Sequence, residues 1–249
     1  MHLFYQDDRV QVWNGDARDL SIVDDESVGL VLTSPPWWDG GDYRHENQIG
    51  FGQTYKDFHE SLELVSKECY RCLLPGSAII LWMADMNRQE GPVPLAADTH
   101  RTLQQAGFVY EATYYWHSWS DSPLPSPEDC VPMTARLSRL VSTLIAYRKP
   151  GTRIPPSPEI IEASRIDPRE YRDSLQPVWT PGPLIKDPYA RLIRLWSYVD
   201  DIVLDPFAGE GAAVPVLSKE LGRRSIAVEL NESTCAHTAE RVREAQASV

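Results

Sequence analysis

The sequence lacks the features that would place it in a membrane or outside the cell. No apolar run approaches the roughly 20 residues of a membrane-crossing helix, and no basic segment with an apolar stretch opens the chain. Cysteine is scarce, and the pair Cys69 and Cys72 has no second pair or histidines at zinc-ligand spacing. Both fall on a predicted helix, where small buried cysteines suit a core face. We therefore expect a soluble protein of the cytoplasm or nucleoid, with no metal and no disulfide.

Positive charge is also in short supply. The chain has 24 Lys and Arg against 36 Asp and Glu, a formal net charge of −12. Nucleic-acid-binding proteins usually present a basic face, so this composition speaks against such a partner unless the charges are segregated on the surface. The stretch 134–172 has a local excess of arginine. This excess fits a mixed solvated surface as well as it fits a patch facing phosphate.

The order of apolar runs indicates the fold class. Short β-branched runs alternate with longer amphipathic runs, which is typical of an α/β protein with a doubly wound sheet, and the 249 residues suit one such domain. The predicted strands cover 10–13, 28–32, 78–83, 109–116, 142–147, 202–204 and 225–228. The predicted helices cover 55–74, 99–106, 189–198, 212–221 and 233–245. The proline-rich segment 150–188 is expected to run extended across the surface.

A glycine-rich turn, D-P-F-A-G-E-G at 205–211, follows a buried strand and precedes a predicted helix. Glycine lets the backbone approach a ligand closely, and the helix N-terminus contributes a favourable dipole. Glu229 ends the next strand, where a carboxylate can accept both ribose hydroxyls of a nucleoside cofactor. Val214 stands where a dinucleotide-binding pattern has its third glycine. A cofactor without phosphates, such as S-adenosylmethionine, therefore fits this turn better.

A second motif, S-P-P-W at 34–37, ends a buried strand in a rigid turn. The Ser34 hydroxyl and the Pro35 carbonyl are suited to accept the two N–H bonds of an exocyclic base amine. Trp37 offers a flat face for stacking on a base that has been flipped out of its duplex. Such chemistry depends on positioning and electrostatics rather than on a metal. The alternative reading is a tight turn with a buried tryptophan.

Together the two motifs resemble the amino-methyltransferases of DNA in the permuted arrangement called the beta class. In that family the S/D/N-P-P-aromatic motif comes first and the F-x-G-x-G motif last, as Ser34–Trp37 and Phe207–Gly211 do here. The resemblance implies one domain over 1–249 with a Rossmann-like methyltransferase fold and a mixed, mostly parallel sheet. It also implies S-adenosylmethionine as cofactor and DNA with a flipped base as substrate. Serine in the first motif usually accompanies methylation of cytosine N4.

The resemblance also implies the residues of the site. The catalytic residues would be Ser34, Pro35, Pro36 and Trp37. The cofactor-binding residues would be Asn14, Asp16, Thr180, Gly182, Asp205, Pro206, Phe207, Ala208, Gly209, Gly211, Glu229 and Leu230. In this scheme Asp16 contacts the adenine amine, and Thr180 stands where the family often has a histidine. Only 117–139 and 150–179 leave room for target recognition.

Other functions remain open at this point. The acidic charge keeps adenine N6 of DNA, or an RNA, as alternative substrates. A second class of function is a non-catalytic regulatory protein that binds S-adenosylmethionine, although the complete S-P-P-W motif speaks against it. Both a monomer and a homodimer are compatible with the sequence, as are the presence and absence of a companion restriction enzyme.

Overall fold

Eleven strands, seven α-helices and one 3-10 helix (Trp38–Gly40) follow one another in the part of the chain that the computed structural model describes, namely residues 1–88, 91–117, 126, 141–181 and 187–247. The strands are β1 (His2–Gln6), β2 (Val10–Asn14), β3 (Val28–Thr33), β4 (Leu73–Met83), β5 (Met86–Arg88), β6 (Gly91–Val93), β7 (Val109–His117), β8 (Val141–Arg148), β9 (Val178–Trp179), β10 (Ile202–Asp205) and β11 (Arg224–Glu229). The helices are α1 (Tyr55–Cys72), α2 (Leu95–Gln105), α3 (Pro158–Ala163), α4 (Pro168–Ser174), α5 (Pro188–Trp196), α6 (Ala213–Glu220) and α7 (Glu232–Ala247).

Nine of these strands form one sheet in the order β1-β2-β11-β10-β3-β4-β8-β7-β9. The five strands from β2 to β4 in this order are parallel, whereas β1, β8 and β7 each run antiparallel to a neighbour. From β3 the chain passes through α1 to β4, and from β10 it passes through α6 to β11, on the opposite side. The strand order therefore reverses between β3 and β10. Ligands of doubly wound sheets bind beyond the carboxyl ends of strands at such a reversal.

Helices cover both faces of the parallel strands. On one face, Phe58 and Leu62 of α1 pack in a cluster with Val31 of β3, together with apolar residues of α2. On the other face, Leu192 of α5 packs in a cluster with Leu30 and its neighbours. Successive residues of β3 thus serve opposite cores, which explains why this strand is apolar throughout. None of the described helices has the length and apolarity to cross a membrane.

All the predicted strands and helices are present, with shifted ends. Cys69 and Cys72 are buried on α1, which confirms the core interpretation of this pair. Helix α1 ends at Cys72 instead of at 74, because Leu73 already adopts an extended conformation and begins β4. The strands β1, β5, β6 and β9 are additional to the predicted set.

The expectation that 150–188 runs extended is wrong, because the segment contains α3, α4 and β9 and reaches the start of α5. Pro158, Pro168 and Pro188 each stand in the first turn of a helix, where the missing N–H costs no hydrogen bond. Ser157 and Asp167 cap the first two of these helices through their side chains. Proline in this segment therefore starts helices instead of excluding them.

The start of α1 gives a test of local stability. The Thr54 hydroxyl accepts a hydrogen bond from the backbone N–H of Asp57 and caps the helix. Because Thr54→Ala leaves that N–H without its partner, we expect a loss of about 1 kcal/mol in the free energy of unfolding. Thr54→Ser keeps the hydroxyl and should stay near the wild type in the same urea titration. An unchanged midpoint for the alanine variant would show that the cap contributes nothing.

Candidate active site

A buried hydrogen bond joins β3 and β10 at the point where the strand order reverses. Thr33 ends β3 and Asp205 ends β10, and these residues are 1% and 4% exposed. The Thr33 hydroxyl donates to Oδ1 of Asp205 at 2.6 Å, and the same oxygen accepts the backbone N–H of Phe207 at 3.1 Å. The S-P-P-W turn and the glycine-rich turn therefore leave the sheet from one shared position.

A cavity of about 620 Å³ opens beyond this junction. Its size is in the range of cofactor and substrate sites. Both predicted motifs contribute to its wall, together with the ends of β2 and β11. The predicted site residues that line it are Asp16, Ser34, Pro36, Pro206, Phe207, Gly209, Glu229 and Leu230.

The remaining predicted residues that the structure describes lie outside this lining. The side chains of Pro35, Asp205 and Ala208 are buried, while Gly211 and Thr180 are exposed. Trp37 is half-buried against the core on the α1 side, and its indole N–H has no hydrogen-bond partner within the described ranges. Gly182 lies outside the described residues, as does most of 117–139.

Glu229 is fixed at the edge of the cavity by backbone groups. Its Oε2 accepts the N–H of Gly209 at 3.0 Å, and its Oε1 accepts the N–H of Asn231 at 2.9 Å. Gly209 has φ = +55°, a left-handed conformation that favours glycine. A carboxylate has about four acceptor positions. Glu229 therefore keeps capacity for hydroxyl donors of a ligand while it holds the glycine-rich turn in place.

Asn14 lies outside the cavity lining and holds the backbone of β11 through its side chain. Its side-chain amide donates to the carbonyls of Glu229 and Leu230 at 3.1 and 2.9 Å. The N–H of Gly15 also donates to the Glu229 carbonyl, at 2.9 Å. Asn14 thereby joins the end of β2 to the end of β11 and keeps the Glu229 backbone in register with the neighbouring strand.

Ser34 faces the cavity from the S-P-P-W turn. Its hydroxyl donates to the carbonyl of Trp82 at 3.4 Å, a long hydrogen bond. A serine hydroxyl that donates in this direction still has oxygen lone pairs that can accept hydrogen bonds from a ligand.

The site residues assigned from the sequence leave out one wall of the cavity. Residues 42–49, with no periodic pattern, follow the S-P-P-W turn and supply Asp42, Tyr43, Arg44, Asn47, Gln48 and Ile49 to the lining. Trp38 fixes the base of this segment. Its indole N–H donates to the carbonyl of Gln53 at 3.0 Å, and the Arg88 guanidinium lies 4.6 Å from its ring centroid. Arg88 also pairs with Asp39.

The arginine-rich stretch shows compensated charge where the structure describes it. Arg148 pairs with Glu111, Arg153 pairs with Asp201, and Arg165 pairs with Glu162. These arginines line a second groove beside Gly76. Because Gly76 lies near the start of β4, this groove is at the opposite end of the parallel strands from the cavity. Such local pairing is typical of a mixed surface rather than of a patch that awaits phosphate.

Fold and site together define a class: an α/β domain of Rossmann type, with a glycine-rich turn and an S-P-P-W turn meeting in one cavity. The chain matches the family of N6 and N4 methyltransferases described as "DNA methylase" over residues 28–240. It belongs to this family, as the resemblance of the two motifs had indicated.

Relatives and solved structures support this assignment. The Type II methyltransferase M.MjaI of Methanocaldococcus jannaschii is 28% identical over 262 aligned positions, with 88% of this chain and 86% of the relative covered. The crystal structure of TTHA0409 from Thermus thermophilus, complexed with S-adenosyl-L-methionine, has a TM-score of 0.80 at 29% identity and 95% coverage of both chains. The PvuII cytosine-N4-specific DNA methyltransferase, at 18% identity, shares the fold with a TM-score of 0.66 over 95% of this chain and 91% of its own. The predicted methyltransferase fold is thereby confirmed.

Asp205 gives a test of the junction. Burial raises the pKa of this carboxyl from its ordinary 3.8 to about 7, against the opposing effect of the Thr33 hydrogen bond. The folded state therefore binds this proton more tightly than the unfolded chain does, and the contribution of Asp205 to stability falls as the pH rises from about 4 to 7. Asp205→Asn is neutral at every pH and retains an acceptor oxygen.

We expect the unfolding free energy of Asp205→Asn, relative to that of the wild type, to increase by on the order of 2–4 kcal/mol between about pH 5 and pH 8. Asp39→Asn is the control with a constant difference, because the hydrogen bond from Arg88 lowers the pKa of Asp39, which is therefore ionised in both the folded and the unfolded state over this pH range. Urea unfolding at a series of pH values measures both differences. A constant difference for Asp205→Asn would mean that this carboxyl ionises normally.

Proposed function

We propose that this protein transfers a methyl group from S-adenosylmethionine to the exocyclic amino group of a base in DNA, namely N4 of cytosine. One observation carries the proposal. Ser34, whose hydroxyl oxygen can accept hydrogen bonds, lines the same cavity as Glu229 and the glycine-rich turn. A base amine bound at Ser34 would therefore face a cofactor bound at Glu229.

The residues present fit S-adenosylmethionine. Glu229 retains acceptor capacity for two ribose hydroxyls, and the Gly209 backbone permits close approach of a ligand. Asp16, Asp42 and Glu210 add carboxylates to the lining, which favours a cation over a polyphosphate. TTHA0409, which this chain resembles along 95% of its length, binds this cofactor. When bound, S-adenosylmethionine supplies an electrophilic methyl group on a positively charged sulfur.

The protein's part in the reaction is to orient the amine. Its nitrogen is a weak nucleophile, because its lone pair is delocalised into the ring. Two acceptors, the Ser34 oxygen and the Pro35 carbonyl, would bind the two N–H groups and direct the developing lone pair towards the cofactor. Because the target atom lies inside the stack of a duplex, the base has to be flipped out first.

Two features favour cytosine. Serine stands in the first position of the catalytic motif, as it usually does in the N4 enzymes of the family that the motif resembles. The fold is also that of the PvuII methyltransferase, which is described as cytosine-N4-specific. We further propose that residues 117–139, which follow β7, and 150–179, which finish with β9, recognise the target sequence. Because β7 and β9 are parallel, the start of 117–139 lies beside Trp179, at the carboxyl ends of the two strands. The earlier part of 150–179 lies by the groove at the other end of the sheet, so we assign the larger share of recognition to 117–139.

The product nucleoside tests the proposal. Purified protein is incubated with DNA and S-adenosylmethionine, and the DNA is digested and analysed by mass spectrometry. We expect N4-methylcytosine. N6-methyladenine, or methylation of RNA instead of DNA, would move the substrate to the two alternatives. Cofactor binding in calorimetry without any methylated nucleoside would contradict enzymatic function and indicate a regulatory protein.

Ser34→Ala tests the assigned acceptor. Removal of the hydroxyl should lower kcat by about 100-fold or more, the range found when one oriented polar contact to a reacting group is deleted. The Kd for S-adenosylmethionine in calorimetry should stay within about twofold, because Ser34 is assigned to the base. Ser21→Ala, an exposed serine beyond β2, is the matched control. Wild-type turnover by Ser34→Ala would show that the site is elsewhere.

A further inference from the structure

Residues 42–49 form a strap across one wall of the cavity. The strap is closed on itself by Gln48. The Gln48 side-chain oxygen accepts the N–H of Tyr43 at 2.6 Å, and its amide nitrogen donates to Asp42 at 2.9 Å. The strap therefore behaves as one unit whose position depends on its attachments to the rest of the fold.

Two side chains fasten the strap from the ends of adjacent strands. Nη2 of Arg18, which follows β2, donates to the carbonyl of Asn47 at 2.9 Å. The side-chain amide of Asn231, which follows β11, donates to the carbonyl of Tyr43 at 3.4 Å. The Arg18 bond is the shorter and is charge-assisted, so we expect it to be the stronger attachment.

Arg18 also holds Asp16, one of the residues in the cavity wall. Its Nε lies 3.0 and 3.1 Å from the two carboxylate oxygens of Asp16, and its Nη2 lies 2.5 Å from Oδ2. The Arg18 backbone N–H adds a fourth contact at 2.9 Å. Burial raises the pKa of Asp16, but the Arg18 hydrogen bonds outweigh this effect and leave that pKa lowered. Asp16 is therefore held ionised and in a single orientation.

We propose that Arg18 is a positioning residue for cofactor binding, an inference that rests on the proposed function. Arg18 stands outside the lining that the described residues form, so it acts through the two groups that it holds. One guanidinium fixes the carboxylate of Asp16 on one wall and the backbone of Asn47 on the other. The cavity is thereby preorganised for S-adenosylmethionine. Without Arg18 both walls would have to become ordered when the cofactor binds, and the entropy lost in that step would weaken binding.

The proposal predicts a separation between binding and chemistry. Arg18→Met keeps the aliphatic stem and removes the guanidinium. We expect its Kd for S-adenosylmethionine to rise by about tenfold or more, the range for loss of charged hydrogen bonds, mainly through faster dissociation. The KM for the cofactor should rise in parallel, while kcat at saturating cofactor stays within about twofold.

Two further variants sharpen the test. Arg18→Lys keeps the charge but cannot bind Asp16 and Asn47 at once, so its Kd should fall between those of the wild type and Arg18→Met. Arg165→Met removes an exposed arginine that pairs with Glu162 on α3, and it should bind like the wild type. Calorimetry gives each Kd, and stopped-flow displacement gives each dissociation rate.

Amide hydrogen exchange reports on the strap without any cofactor. Residues 42–49 should exchange faster in Arg18→Met than in the wild type, while the core strands β3 and β10 keep their protection. Unchanged exchange in the strap, or a wild-type Kd for Arg18→Met, would overturn the proposal. Failure of the wild-type protein itself to bind S-adenosylmethionine would instead overturn the proposed function, so the two failures are distinguishable.

Discussion

The hydrogen bond between Thr33 and Asp205 is the constraint on which the rest of the site depends. It joins residues 172 positions apart in the sequence, at the end of two central parallel strands that both cores bury. A carboxyl this deeply buried is costly without partners, and Thr33 and the Phe207 N–H are the hydrogen-bond donors that the structure shows for it. The points at which the S-P-P-W turn and the glycine-rich turn leave the sheet are thereby set relative to each other.

This constraint explains why the permuted order of the motifs is compatible with the chemistry. The chain passes the S-P-P-W turn first and the glycine-rich turn about 170 residues later, yet the reversal of strand order puts them side by side. The neighbouring strands complete the wall. Asn14 joins β2 to β11, and Glu229 binds the N–H of Gly209. The carboxyl ends of four parallel strands, β2, β11, β10 and β3, therefore contribute to the site. The strap at 42–49 is attached by side chains rather than by the sheet, through Arg18, Asn231 and the buried Ile49.

The sequence alone predicts the features that follow from local pattern. β3 and β10 are short apolar runs ended by turn residues, and Ser34 and Glu229 are recognisable by their place at strand ends. Features that depend on contacts between residues far apart in the sequence could not be predicted from local pattern. The helices α3 and α4 are not predicted when proline is treated only as a helix breaker. Ser157 and Asp167, which cap these two helices, are the local signals of their starts. The sequence of the strap has no periodic pattern. Its contacts with Arg18 and Asn231, which place it at the site, can be seen in the structure and not in the sequence. Asp16 is identifiable from the sequence, but the guanidinium that orients it is not.

Thr33→Val removes the hydrogen bond by which one junction would position both turns of the site. Valine nearly matches threonine in shape and removes only the hydroxyl that donates to Asp205. Cofactor Kd by calorimetry and methyl transfer to DNA are measured on the same preparation, with the fold checked by urea unfolding. We expect cofactor binding and methyl transfer to weaken together, since both turns lose their common attachment. A folded Thr33→Val protein that binds S-adenosylmethionine and methylates DNA like the wild type would show that the junction does not position the site.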